Sequence, residues 1–140
     1  MRAPRTILLV EDQTELREAI AFVLRCHGYT VVTSGDGVEA AELAGRESLD
    51  LAVIDMMLPG LSGFQLTQRV KEQSNGLVPV IMISGNSSAA HQDYAHASGV
   101  DLFLAKPFPL HALADAARAL CPPAIAAGSR TTPLVVGSRP

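Results

Sequence analysis

In this 140-residue chain, three carboxylates, a hydroxyl and an ammonium all occupy the same kind of place, directly after a short apolar run. Ile7-Leu8-Leu9-Val10 leads into Glu11-Asp12, and Leu51-Ala52-Val53-Ile54 leads into Asp55. Val80-Ile81-Met82-Ile83 leads into Ser84, and Leu102-Phe103-Leu104-Ala105 leads into Lys106-Pro107. If each run is a buried strand of one parallel sheet, the residue after it stands at the strand's carboxyl end. Open α/β sheets place their ligand crevice at that edge. Acids gathered there repel one another, so the set favours a hard divalent cation. Mg²⁺ takes oxygen ligands and is commonly shared with a phosphate. Lys106 offers a compact charge for a phosphoryl group or a carboxylate. Its bond to Pro107 is a candidate cis peptide. Ser84 can donate to a phosphoryl oxygen, and Gly85 beside it leaves room for an incoming group. Any one of these residues alone would read as a solvated loop residue; the common register is what points to a site.

The segments between the runs have helical period. Thr14 to Cys26 places Leu16, Ile20, Val23 and Leu24 at helical spacings, with His27-Gly28 closing the helix; Thr14 and Arg17 make no capping box, though the Thr14 hydroxyl can still cap the start. Tyr29 to Thr33 is a short β-branched stretch, read as the second strand, and Ser34-Gly35-Asp36-Gly37 is a turn cluster. A second helix runs from Val38 to about Glu47. Phe64, Leu66 and Val70 mark a third helix after the turn-rich loop of residues 56–63. Ala-rich helices follow over Ser88–Ser98 and Pro109–Leu120. Strict strand–helix alternation with near-continuous apolar strands predicts a doubly wound α/β (βα)5 sandwich, a five-stranded parallel sheet covered on both faces, over residues 5–120. Residues 121–140 are rich in Pro, Gly, Ser and Ala around one apolar trio, Leu134-Val135-Val136, and read as a flexible C-terminal tail.

Composition narrows the function classes. A net charge of −3 with scattered Lys and Arg leaves no basic patch for direct contact with nucleic acid. Cys26 and Cys121 form no CxxC pair and read as structural residues. The apolar run after Met1-Arg2-Ala3-Pro4-Arg5 is too short for a signal peptide, and nothing is long enough to span a membrane. A soluble, cytoplasmic protein with no membrane contact is therefore expected. No Gly-rich nucleotide loop follows any strand. His91 and His96 sit five apart, off a shared helix face, and read as surface residues rather than metal ligands; His27 and His111 read as ordinary helix-end residues.

The ordered set Ile7-Leu8-Leu9-Val10-Glu11-Asp12, Asp55 with Pro59 and Gly63, Ser84-Gly85, Gly99 and Lys106-Pro107-Phe108 resembles the receiver domain of bacterial two-component response regulators. The resemblance covers residues 6 to about 120 and implies the flavodoxin-like strand order 2-1-3-4-5. It also implies that Asp55 is the phosphoacceptor for a sensor histidine kinase or a histidine phosphotransfer protein. Mg²⁺ would be held by Asp12, Asp55 and the Met57 backbone carbonyl, with Glu11 acting directly or through water. Ser84 and Lys106 would bind the phosphoryl oxygens, and Ser84 and Phe103 would form the switch. Met57 and Asn86 would flank the path of hydrolytic water, and because an apolar Met57 cannot orient that water, slow self-dephosphorylation is expected. The implied protein is a signalling phosphoprotein, not a turnover enzyme. Its target would be a downstream protein, or a second copy in a phosphorylation-dependent homodimer, met through the fourth helix, fifth strand and fifth helix. The chain ends soon after the fifth helix, which leads to the expectation of no fused output domain. Two other readings are weaker. A haloacid-dehalogenase-like phosphohydrolase would carry an acid where Met57 stands, and a degenerate receiver would not keep the acids and Lys106 intact.

Overall fold

The computed structural model describes residues 4–124. Its strands are β1 (Thr6–Val10), β2 (Thr30–Ser34), β3 (Leu51–Asp55), β4 (Val80–Ser84) and β5 (Leu102–Ala105). They alternate with α1 (Thr14–Cys26), α2 (Gly37–Arg46), α3 (Gly63–Gln73), α4 (Ala89–Ala97) and α5 (Leu110–Leu120). All neighbouring strands pair in parallel, in the order β2-β1-β3-β4-β5. This is the expected doubly wound sheet in the expected order.

The period of two along each strand sorts the core into two layers. Ile7, Leu9, Val53, Ile81 and Ile83 pack with Ile20 and Leu24 of α1 and Leu113 and Ala117 of α5. Leu8, Val10, Ala52, Ile54, Val80 and Met82 pack with Ala40 of α2, Leu66 and Val70 of α3 and Ala95 of α4. Burying a Leu or Ile side chain contributes roughly 1.5–3 kcal/mol, so shifting one strand by a single residue would exchange its two layers at large cost. That fixes which residue ends each strand. The two edge strands are less fully covered: β2 has an exposed Thr30 and half-buried Val32 and Thr33, and β5 has three half-buried residues and an exposed Ala105.

Side chains set most helix starts. Asp36 caps α2, accepting from the amides of Val38 at 2.7 Å and Glu39 at 2.9 Å. Ser62 and Gln65 form a reciprocal capping box on α3, and Ser88 caps α4. Thr14, which could have capped α1, is instead its first helical residue. Gln13 takes the cap position without a side-chain bond, and its amide donates to Glu11 Oε2 at 3.0 Å, so the loop is bound to the acid instead. β2 begins at Thr30, one residue later than expected, and Gly28 takes a φ of +96° after α1 as foreseen. Cys26 is exposed and Cys121 buried, both as free thiols. Among the described residues no helix is long and apolar enough to cross a membrane. The tail expected over 121–140 lies, from residue 125 on, outside the described residues.

Candidate functional site

The sheet register brings the strand-end residues together. β1 and β3 are neighbours with Val10 opposite Ile54, so Glu11 and Asp55, the residues that follow, are side by side. Asp55 stands opposite Ile83, one residue before Ser84. Ala105 stands opposite Ser84, and the next residue, Lys106, donates its amide to the Ser84 carbonyl at 2.7 Å. Carboxylate oxygens of Glu11, Asp12 and Asp55 lie within 4.8 Å of one another. Glu11 and Asp55 are buried, and Asp12 is exposed to solvent.

Lys106 is the cluster's counter-charge. The Lys106-Pro107 peptide is cis, as expected, and Nζ lies 2.9 Å from Glu11 Oε1 and 3.2 Å from Asp55 Oδ2. Asp55 Oδ1 accepts from the Met57 amide at 3.2 Å. Burial pushes the Glu11 carboxyl above its ordinary range and the Asp55 charge adds to that rise, while Lys106 and the Gln13 amide only partly offset it. Burial alone would lower the Lys106 ammonium, but the two carboxylates outweigh it and hold the group above its usual value. The ammonium sits close to Glu11 Oε1 without hydrogen-bond alignment, so that oxygen is buried with no hydrogen-bond donor. A buried, poorly satisfied acid beside two more carboxylates fits a hard divalent cation, whose charge would satisfy all three.

Ser84 is wholly buried, and its hydroxyl points at the Met56 sulfur, 3.7 Å away, while accepting from the Asn86 amide at 2.9 Å. Phe103 is half-buried, opposite Met82, against the layer of α2, α3 and α4. The Met57 side chain is 70% exposed, beside the cluster but pointing into solvent. Sequence reasoning missed two neighbours. Arg17 Nη1 donates to the Glu11 carbonyl at 2.8 Å, and a Cβ on Gly35 would come within 2.7 Å of that same nitrogen. His91, expected as a plain surface residue, is half-buried and bonded through both ring nitrogens, to Asn86 and to Ser88. Only Arg17's position, one turn into α1, could have hinted at the first; nothing in residue spacing announces the second.

The chain's relatives share this arrangement of sheet and sequence. The family model described as response regulator receiver domain matches residues 7–118. The probable transcriptional regulatory protein TcrX of Mycobacterium tuberculosis is 32% identical over 117 residues, covering 84% of this chain and 50% of that protein. This chain thus spans about half the length of that curated relative, and nothing in the match bears on the expected lack of an output domain. Chemotaxis protein CheY4 of Vibrio cholerae superposes with a TM-score of 0.79 at 28% identity, over 84% of this chain and 99% of that one. The receiver domain of sensor histidine kinase PA1611 from Pseudomonas aeruginosa has a magnesium ion coordinated in its active-site cleft. It superposes with a TM-score of 0.75 at 33% identity, over 84% of this chain and 98% of that one. With a family match across most of the chain, a sheet in the 2-1-3-4-5 order and acids clustered at its carboxyl edge, the protein belongs to the response regulator receiver domains of two-component signalling.

Proposed function

We propose that Asp55 accepts a phosphoryl group from a phosphohistidine of a sensor histidine kinase or a histidine phosphotransfer protein. The observation that carries this is the state of Asp55 itself: nearly buried, held at one oxygen by the Met57 amide and at the other by Lys106. One carboxylate oxygen attacks phosphorus as the phosphorus–nitrogen bond of the donor breaks. The imidazole leaves with the bonding electron pair and takes up a proton, and Asp55 becomes an acyl phosphate. Lys106 shifts from pairing with carboxylates to holding a phosphoryl oxygen, and Ser84 turns its hydroxyl from Met56 to another. Positioning and charge neutralisation are the whole of the catalysis in a loose phosphoryl-transfer transition state. Glu11, Asp12, Asp55 and the Met57 carbonyl would hold Mg²⁺, which when bound neutralises the charge of the incoming phosphate.

The turn of Ser84 vacates the space beside Met56, and Phe103 moves toward it, changing the surface made by α4, β5 and α5. The half-covered β5 edge supports that surface as the place where a downstream protein or a second copy binds. The reading places the protein in the cytoplasm as a phosphoprotein of a two-component or phosphorelay system rather than as a turnover enzyme.

The test is incubation with Mg²⁺ and acetyl phosphate followed by intact mass measurement, beside Asp55→Asn. The expected result is a gain of one phosphoryl group in the wild type and none in the variant. An equal gain in Asp55→Asn would overturn the assignment. Steady turnover of small phosphomonoesters would point to the hydrolase reading instead.

A further inference from the structure

Asp12 differs from the other two acids of the cluster in how it is held. Glu11 and Asp55 are buried and paired with Lys106. Asp12 is exposed, and among the described residues its carboxylate accepts no hydrogen bond. Its direction is therefore set by the peptide planes on either side of it. The plane after Asp12 is fixed through the Gln13 amide, which donates to Glu11 Oε2 at 3.0 Å. The plane before it joins Glu11 to Asp12, and the carbonyl oxygen of that peptide accepts from Arg17 Nη1 at 2.8 Å.

Arg17 is placed for this contact from two sides. Its own amide donates to the Gln13 carbonyl at 2.9 Å, which puts it in the first turn of α1. Helical side chains lean toward the helix N-terminus, so Arg17 reaches back over the loop between β1 and α1. The turn after β2 walls the guanidinium in: a Cβ on Gly35 would come within 2.7 Å of Nη1 and 3.6 Å of the Glu11 carbonyl oxygen. The Glu11 amide in turn donates to the Ser34 carbonyl at 3.0 Å, so the backbone of Glu11 is gripped at both ends, by β2 and by α1. Among the described residues Arg17 makes no other side-chain hydrogen bond and no ion pair.

We infer that Arg17 is a positioning residue of the cation site: by holding the Glu11–Asp12 peptide it keeps the Asp12 carboxylate turned to the other two acids, and the missing side chain of Gly35 leaves the guanidinium room to do so. This rests on the reading of the three acids as a Mg²⁺ site. Charge and position predict opposite signs here. A guanidinium acting only through its charge repels the cation, and losing it would tighten Mg²⁺ binding. A guanidinium acting through the peptide it holds pre-sets a ligand, and losing it weakens Mg²⁺ binding, as for other groups that orient metal ligands from outside.

Mg²⁺ titrations by calorimetry on the full chain, on Arg17→Met and Gly35→Ala, and on the two combined decide between these. Arg17→Met removes the donor and the charge but keeps an unbranched stem. Gly35→Ala keeps the charge and displaces only the far end of a flexible side chain. Each should weaken Mg²⁺ binding about tenfold, the lower end of what such outer partners are worth. The combined variant should bind no more weakly than Arg17→Met, because both changes break the same contact. Without Mg²⁺, the backbone nitrogen signal of Asp12, which shares its peptide with the held carbonyl, should move in both single variants. A merely structural role would lower the urea midpoint and leave the affinity of the folded protein unchanged. Unchanged or tighter Mg²⁺ binding in Arg17→Met, or losses that multiply in the combined variant, would overturn the inference. If Arg17→Met does not fold, Gly35→Ala decides alone, and wild-type affinity there would overturn it. A wild type that takes up no Mg²⁺ would remove the cation reading and this inference together, whereas variants matching a Mg²⁺-binding wild type would remove only the role of Arg17.

Discussion

Lys106 stands where two demands conflict. It neutralises two buried acids when no cation is bound, yet it occupies the same crevice that a divalent cation would share. Lys106→Met should therefore do two opposite things. Leaving Glu11 and Asp55 without their counter-charge should cost about 1–3 kcal/mol of stability, less than for a fully buried pair because the lysine is partly exposed. Removing a positive charge from the crevice should at the same time tighten Mg²⁺ binding, so that added Mg²⁺ raises the urea midpoint more in the variant than in the wild type. Weaker Mg²⁺ binding in Lys106→Met would contradict this account. The raised Glu11 carboxyl gives the sign of the pH dependence: protons compete with the cation, and Mg²⁺ affinity should fall as pH drops through the Glu11 titration. Met57 bears on lifetime rather than affinity. Its exposed thioether offers water no strong hydrogen bond, so Met57→Asn should speed loss of the phosphoryl group several-fold; an unchanged rate would remove Met57 from the hydrolytic path.

The element that places Asp55 is the loop from β3 to α3, and two glycines let it fold back on the strand end. A Cβ at position 63 would strike the Asp55 carbonyl oxygen and come within 2.7 Å of Met56 Cα, and one at position 37 would strike the Leu61 carbonyl oxygen. Both glycine amides also hold the loop by hydrogen bonds, Gly63 N to Met56 O and Gly37 N to Pro59 O, each 3.0 Å. Gly63→Ala must push backbone against backbone and should cost about 1–3 kcal/mol, with slower phosphorylation because Asp55 itself is displaced. Gly85→Ala is the control, since a Cβ there meets nothing within 4 Å. Equal denaturation midpoints for Gly63→Ala and the wild type would show that the loop yields easily. The strands and the residues ending them were legible in the chain because parallel strands covered on both faces must be apolar runs, and a polar residue ending such a run must emerge at one edge. The helices were legible from their period. What stayed hidden depends on loop geometry rather than spacing. Thr14 is the first helical residue rather than the cap, and the Gln13 amide before it is held by Glu11, an arrangement set by how the chain turns between Val10 and Thr14. Arg17 reaches a backbone carbonyl, and His91 is fixed by an amide whose own orientation depends on Ser88. The direction of the Ser84 hydroxyl, toward Met56 rather than Asp55, is likewise a rotamer that no sequence pattern specifies.

At the scale of the whole molecule, the sheet's far edge is closed by a contact spanning 92 positions: the Tyr29 hydroxyl donates to the Cys121 carbonyl, joining the lead into β2 to the end of α5. Tyr29 is 4% exposed, and burial, followed by the nearby Cys121 sulfur, pushes its phenol up to about 12. A group whose folded value lies above its unfolded value of about 10 contributes stability that is fully present below that pH. The contribution is lost as pH rises through the folded value, because the phenolate can neither donate to the carbonyl nor be solvated in place. The wild type should therefore lose stability steeply between about pH 10 and pH 12, the interval between those two values. Tyr29→Phe should be weaker by about 1 kcal/mol at neutral pH, since the Cys121 carbonyl loses its donor, and should show a flatter alkaline limb. Urea unfolding at a series of alkaline pH values measures both effects, with tyrosinate absorbance in a Tyr94→Phe background reporting Tyr29 alone. Parallel alkaline limbs for wild type and Tyr29→Phe would assign the loss of stability to other groups. Because this latch lies at the sheet edge opposite the acids, phosphorylation of Tyr29→Phe at neutral pH should match the wild type, separating what holds the fold closed from what the site does.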